Sequence, residues 1–120
     1  MSDSRSTGKV RPALEADIRV IDVPERSRFE VRVDGDVAGY SEYRLRPGLI
    51  AFVHTLIDPR FDGQGLGSKL AREALSEVRS KGLSVLPFCP FVRGYIARHP
   101  EYLDLVSEDM RAQFDLPAHG

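Results

Sequence analysis

Between Leu56 and Lys81 an apolar run enters Asp58-Pro59-Arg60-Phe61-Asp62-Gly63-Gln64-Gly65-Leu66-Gly67-Ser68 and continues into a helical repeat. That order dictates a strand, a tight turn and a helix in immediate succession, and any fold for this chain has to be built around it. The helix is written in Leu66, Leu70, Ala74 and Val78, which recur every fourth residue, with Ala71 and Leu75 widening the stripe. Gly82 stands where a left-handed C-terminal cap is expected, and Glu77 precedes Lys81 by four positions on the exposed side. Gly63, Gly65 and Gly67 permit positive φ and close backbone approach, so several N–H groups can converge on one anion at the helix N-terminus. The same glycines suit a strand-to-helix turn that holds nothing, and their spacing alone leaves both readings open.

At 120 residues the chain is long enough for a single core and too short for two. A formal net charge of −1 provides no basic footprint for nucleic acid, so that class of partner is set aside. No run is long and apolar enough for a membrane span, and Met1-Ser2-Asp3-Ser4-Arg5-Ser6 lacks a signal core; a cytoplasmic protein is expected. Cys89 is the only cysteine, which excludes an internal disulfide, and His54, His99 and His119 are scattered without metal-ligand spacing. No metal is expected.

The expected organisation is a tail over 1–16, one domain over 17–115 and a C-terminal tail over 116–120. Ile18, Val20 and Val23 begin a first strand. Phe29, Val31 and Val33 alternate with Arg28, Glu30 and Arg32 as in a half-buried strand, and Asp34-Gly35-Asp36 turns the chain. Val37 to Leu45 returns, and Arg46-Pro47-Gly48 turns it again. Leu49 to Ile57 is apolar at nearly every position, which predicts a central strand with both faces covered. After the helix, residues 83–88 form a strand parallel to that one, since a crossover helix joins them. Pro87 and Pro90 interrupt its pairing, so it diverges from its neighbour near Cys89 and opens a slot. Val92, Tyr95, Ile96 and His99 mark one face of a short helix ended by Pro100; the segment through Phe114 is assigned no element. The fold class is α/β (α+β), a mixed sheet with an antiparallel N-terminal meander and a strand-loop-helix-strand unit with splayed parallel strands.

Three ligands compete for the glycine loop. A nucleoside-triphosphate loop ends in Gly-Lys-Ser/Thr, whereas Gly67-Ser68-Lys69 has the order reversed. A dinucleotide loop matches Gly63-x-Gly65 but misplaces the third glycine, and the chain is too short for repeated βαβ units. The order strand, Asp-Pro, x-Gly-Gln-Gly-Leu-Gly-Ser, helix resembles the acetyl-CoA pyrophosphate loop of the GNAT superfamily of N-acetyltransferases. The resemblance runs from Arg28 to Val106 and includes a second block, Cys89-Pro90-Phe91-Val92-Arg93-Gly94-Tyr95-Ile96-Ala97-Arg98-His99-Pro100-Glu101-Tyr102, similar to the small single-domain branch. It implies a GNAT-like fold, acetyl-CoA as cofactor, Asp62, Gly63, Gln64, Gly65, Leu66, Gly67 and Ser68 at the pyrophosphate, and the pantetheine arm on main-chain groups near Leu56 and Ile57. Asp62 departs from the usual Arg or Gln; Coulomb repulsion there is about a kilocalorie at close range in high dielectric, and Arg60 is near enough in sequence to offset it.

Acetyl transfer to an amine needs a neutral amine, a polarised thioester carbonyl and a proton for the departing thiolate. Tyr95 lies where the superfamily has its proton donor; the alternative is aromatic packing on the helix face, with Tyr102 as a substitute. Cys89 at the splay is a nucleophile, a wall residue or a buried thiol. His54 is a base or a satisfied core histidine, and Glu42 is a second candidate base. His99 belongs to the second block and packs or caps. The leading function is an N-acetyltransferase working by direct transfer in a ternary complex. The alternatives are a non-catalytic acyl-CoA-binding module, transfer through an acetylated Cys89, and a cofactor-free interaction domain. By analogy the acceptor is an exposed amine, on a peptide or protein, and the chain is a monomer or homodimer.

Overall fold

The computed structural model describes residues 16–118; almost all of the expected N-terminal tail, and His119 with it, lie outside them. Five strands form one sheet in the order β1 (Ile18–Val23), β2 (Arg28–Val33), β3 (Asp36–Arg46), β4 (Leu49–Ile57) and β5 (Ser84–Pro87). The first four pair antiparallel and β5 lies parallel to β4, joined by α1 (Leu66–Ser80). After β5 come α2 (Pro90–Arg98), a 3₁₀ segment Pro100–Leu105 and a one-turn α3 (Glu108–Arg111). This is the mixed α/β architecture expected.

The apolar stripe of α1 is buried at Leu66, Leu70, Ala71, Ala74, Leu75 and Val78, as the fourfold spacing predicts. Cross-strand partners Phe29–Ser41, Val31–Gly39 and Tyr43–Phe52 share the sheet face that meets these side chains. The rings of Phe29, Tyr43 and Phe52 cluster with centroids 5.4–6.5 Å apart. Leu116 is buried too, so the core extends past the expected boundary at 115.

One expectation is corrected. β4 is second from the sheet edge, and only Ile50, Ala51 and Phe52 of it are buried. His54 is exposed and Leu56 is 47% exposed. The apolar run misleads because β5 is short and α1 covers one face alone, so the second half of β4 has neither a neighbouring strand on that side nor a cover on its outer face.

That outer face is polar, and Glu30 is its one buried charge, only 1% exposed. Arg28 and Arg32, two residues to either side on the same strand face, each reach its carboxylate at 2.7 Å. Burial pushes the Glu30 pKa up, but the bonds and charges of Arg32 and Arg28 outweigh it and hold the carboxyl below its usual range. A depressed folded-state pKa stabilises above the unfolded carboxyl's range and is lost as pH falls through the folded value. Glu30→Gln is therefore expected to lose about 1.5–3 kcal/mol in urea unfolding at neutral pH. The gap from wild type should close below about pH 4; a gap that is constant across that range would contradict the ion-pair account.

Candidate active site

The site begins where β4 and β5 part. Their ladder ends at Phe52–Pro87: Ser84 and, by the strand's alternation, Leu86 turn their N–H groups to β4, and the next in that series, Phe88, gives its N–H back to the Leu86 carbonyl at 3.1 Å. One further bond, from the Cys89 N–H to the Phe52 carbonyl at 2.8 Å, ties the strand's end before Pro90 starts α2. Beyond it, from Val53 to Ile57, β4 has no strand partner on the β5 side. At the same level the β3–β4 register slips: Glu42 faces His54 but Tyr43 faces Phe52, which leaves Val53 as the extra residue of a bulge. Bulge and splay thus fall at the same level of β4. Gly39, opposite Ile57, keeps β3 close here; a β-carbon on it would fall 2.7 Å from the Leu56 carbonyl.

β4 then runs into the glycine loop. Gly63 and Gly65 take φ of 80° and 73°, and a β-carbon built on either would meet nothing within 4 Å. Gly65 is the N-cap of α1, and no side chain caps that end, so the leading N–H groups of the helix are free to point outward. The loop also holds the only buried side-chain oxygen or nitrogen without a partner among the described residues, Oε1 of Gln64. An open cradle of uncapped N–H groups fits a diphosphate, and the orphaned Gln64 oxygen beside it, an acceptor, fits an N–H or hydroxyl of the attached arm. Gly67 is different: a β-carbon there would sit 2.7 Å from Cζ of Phe91, so the first turns of α1 and α2 are in contact.

Side chains of the loop settle two expectations. Asp62 is exposed, away from any enforced burial against the cradle. Arg60 does not offset it: its N–H and guanidinium bond to Asp58 at 2.9–3.2 Å. These contacts, the backbone one foremost, hold the Asp58 carboxyl below the carboxylate range.

Cys89 is 2% exposed, and its thiol donates to Thr55 Oγ1 at 3.2 Å; Thr55 Oγ1 lies 2.9 Å from Ser41 Oγ. The thiol thus spans the splay to touch β4. Neither hydroxyl was expected in the site, although two polar residues on an otherwise apolar sheet face were a visible signal. His54, adjacent to Thr55 and so on the opposite face, is not a core histidine. Its ring stands edge-on to Tyr40 at 6.0 Å, with half-buried Glu42 as its cross-strand partner. His54 and Glu42 therefore meet each other and not Cys89.

Tyr95 is 4% exposed and lies on the buried face of α2 with Val92 and Ile96. Its ring stacks on His99 at 4.0 Å and packs against Tyr102 at 5.9 Å, while its hydroxyl makes no hydrogen bond among the described residues. Burial, then Tyr102, push the Tyr95 pKa up, with Arg72 acting the other way. A phenol held protonated, with its hydroxyl unspent, is equipped to donate a proton.

A cavity of about 290 Å³ between β1 and α1, lined by Val20, Asp22, Phe29, Glu73 and Glu77 among others, lies apart from these residues. Its carboxylates are already matched: Asp22 to Tyr43 and Lys81, Glu77 to Lys81, and Glu73 to Lys69 and Arg72.

A sequence model described as GCN5-related N-acetyl-transferase matches residues 28–105, from the start of β2 to the end of the 3₁₀ segment. No curated protein gives a significant match. The match covers most of the chain and takes in the splayed strands, the glycine cradle, Cys89 and Tyr95, and on that ground the chain belongs to the GCN5-related N-acetyltransferase family.

Proposed function

We propose that this chain moves an acetyl group from acetyl-CoA to a primary amine by direct transfer in a ternary complex. The observation that carries the reading is the free edge of β4 from Val53 to Ile57, opening onto an uncapped helix N-terminus at Gly65. Bound acetyl-CoA would supply an activated thioester. Main-chain N–H groups from Gly63 to Ser68 hold the diphosphate, with Asp62, Gln64 and Leu66 shaping the loop around it. The edge of β4 near Leu56 and Ile57 bonds the amide groups of the arm, and the bulge at Val53 turns an N–H toward the acyl oxygen.

Tyr95 delivers the proton to the departing sulfur. On the open face His54, supported by Glu42 across the strand pair, takes the proton of the incoming amine. Among the described residues that face carries no covering helix, which favours an amine presented on a peptide or protein surface over an enclosed metabolite. Cys89 serves as a wall of the cleft: its hydrogen-bond partner is the neutral hydroxyl of Thr55, whereas a nucleophilic thiol is activated by a base or a cation.

Saturating acetyl-CoA, at about a hundred times Kd, is expected to raise Tm by roughly 10 °C or more in a chain of this size; no shift with either acetyl-CoA or CoA would end the cofactor reading. Binding with no CoA release against a panel of amines and peptides would leave a binding module. Tyr95→Phe should lower kcat about a hundredfold with little change in KM for acetyl-CoA. Cys89→Ala and Cys89→Ser should both stay within a few-fold of wild type, and loss of turnover in both would revive the acetyl-cysteine route.

A further inference from the structure

The C-terminal end of α2 departs from a regular helix in a way that bears on Tyr95. In a continuing helix the His99 N–H would bond the Tyr95 carbonyl, four residues back. His99 precedes Pro100, whose ring disfavours helical backbone at that position, and it takes φ −129° and ψ 81°. Its N–H goes to the Ile96 carbonyl at 3.1 Å instead, which strips the Tyr95 carbonyl of its regular donor. The His99 side chain makes good the loss, with Nδ1 2.9 Å from the Tyr95 carbonyl oxygen. A carbonyl only accepts, so Nδ1 carries the proton.

The same turn lays the imidazole flat on the phenol ring, 4.0 Å between centroids and 18° between planes. Tyr102 adds a tilted contact at 5.9 Å and is itself overlain by Arg79 of α1, which Asp104 holds at 2.7 Å. Since the Tyr95 hydroxyl has no hydrogen bond among the described residues, its direction is set through its ring. A proton donor must reach its acceptor within hydrogen-bond distance, and misplacement by about 1 Å costs on the order of a hundredfold in rate.

We propose that His99 is a positioning residue for acetyl transfer: bonded to the Tyr95 main chain and stacked on its ring, it aims the phenol at the departing sulfur. This rests on Tyr95 as the proton donor. The test is a double-mutant cycle on steady-state kcat and on KM for acetyl-CoA, with melting temperature as the folding control. His99→Leu, which keeps the volume without the flat ring or the bond, should lower kcat about tenfold and leave KM within about twofold. His99→Phe, which restores a flat ring, should recover most of that loss. In a Tyr95→Phe background His99→Leu should have no further effect, because there is no hydroxyl left to aim. An equal tenfold loss in that background, or full kcat in His99→Leu beside an impaired Tyr95→Phe, overturns the positioning role alone. An unimpaired Tyr95→Phe overturns the proton-donor reading and this role with it. Should His99→Leu prove unstable, His99→Gln, which keeps a donor for the carbonyl but no ring, is read against His99→Phe in the same way.

Discussion

Everything at the cleft depends on one hydrogen bond that turns back on its own strand. Two parallel strands stay together as long as each supplies N–H groups to the other; Ser84 and, by alternation, Leu86 face β4, but Phe88, next in that series, gives its N–H to the Leu86 carbonyl instead. The ladder stops there, Cys89 contributes a last bond to the Phe52 carbonyl, and Pro90 turns the chain into a helix. From Val53 to Ile57 β4 goes on with no strand partner on that side among the described residues. That open strand edge stands beside the uncapped N-terminus of α1. The bulge at Val53 falls at the same level, opposite Glu42 and Tyr43, and turns the strand as it leaves its partner.

Much of this was readable before any coordinates. The fourfold spacing from Leu66 to Val78 marked α1, whose buried residues are the predicted stripe, and Leu49 to Ile57 is β4 to the residue. The two prolines located the splay. Faces were harder. An all-apolar strand signals burial on both sides, but His54 and Leu56 are exposed because the pairing with β5 stops at Phe52 and no described element covers their face, and sequence period carries no information about what a neighbouring element lacks. The hydroxyl pair Ser41–Thr55 escaped notice because it depends on the pairing register of β3 with β4, set by a bulge that no local pattern announces. Arg60 looked like a partner for Asp62, yet it is committed to Asp58, two residues back, through a turn whose geometry decides the matter. At the end of α2, His-Pro was legible as a stop; that it would also fold an imidazole onto Tyr95 was not.

The sheet's two faces divide the labour of folding. The inner face carries the rings of Phe29, Tyr43 and Phe52 and the whole apolar stripe of α1. The outer face stays wet, and its single buried carboxylate, Glu30, is tolerable because two guanidinium groups of the same strand enclose it. Among the described residues no helix lies on this face, and charge pairing on the strand stands in for one.

Gly67 sets how far apart two helices can stand. With no side chain, it lets the Phe91 ring rest against the first turn of α1, so the mouth of the cradle and the root of α2 are mechanically joined. A single methyl group at that point would press on the tip of the partly exposed Phe91 ring and push it off the first turn of α1.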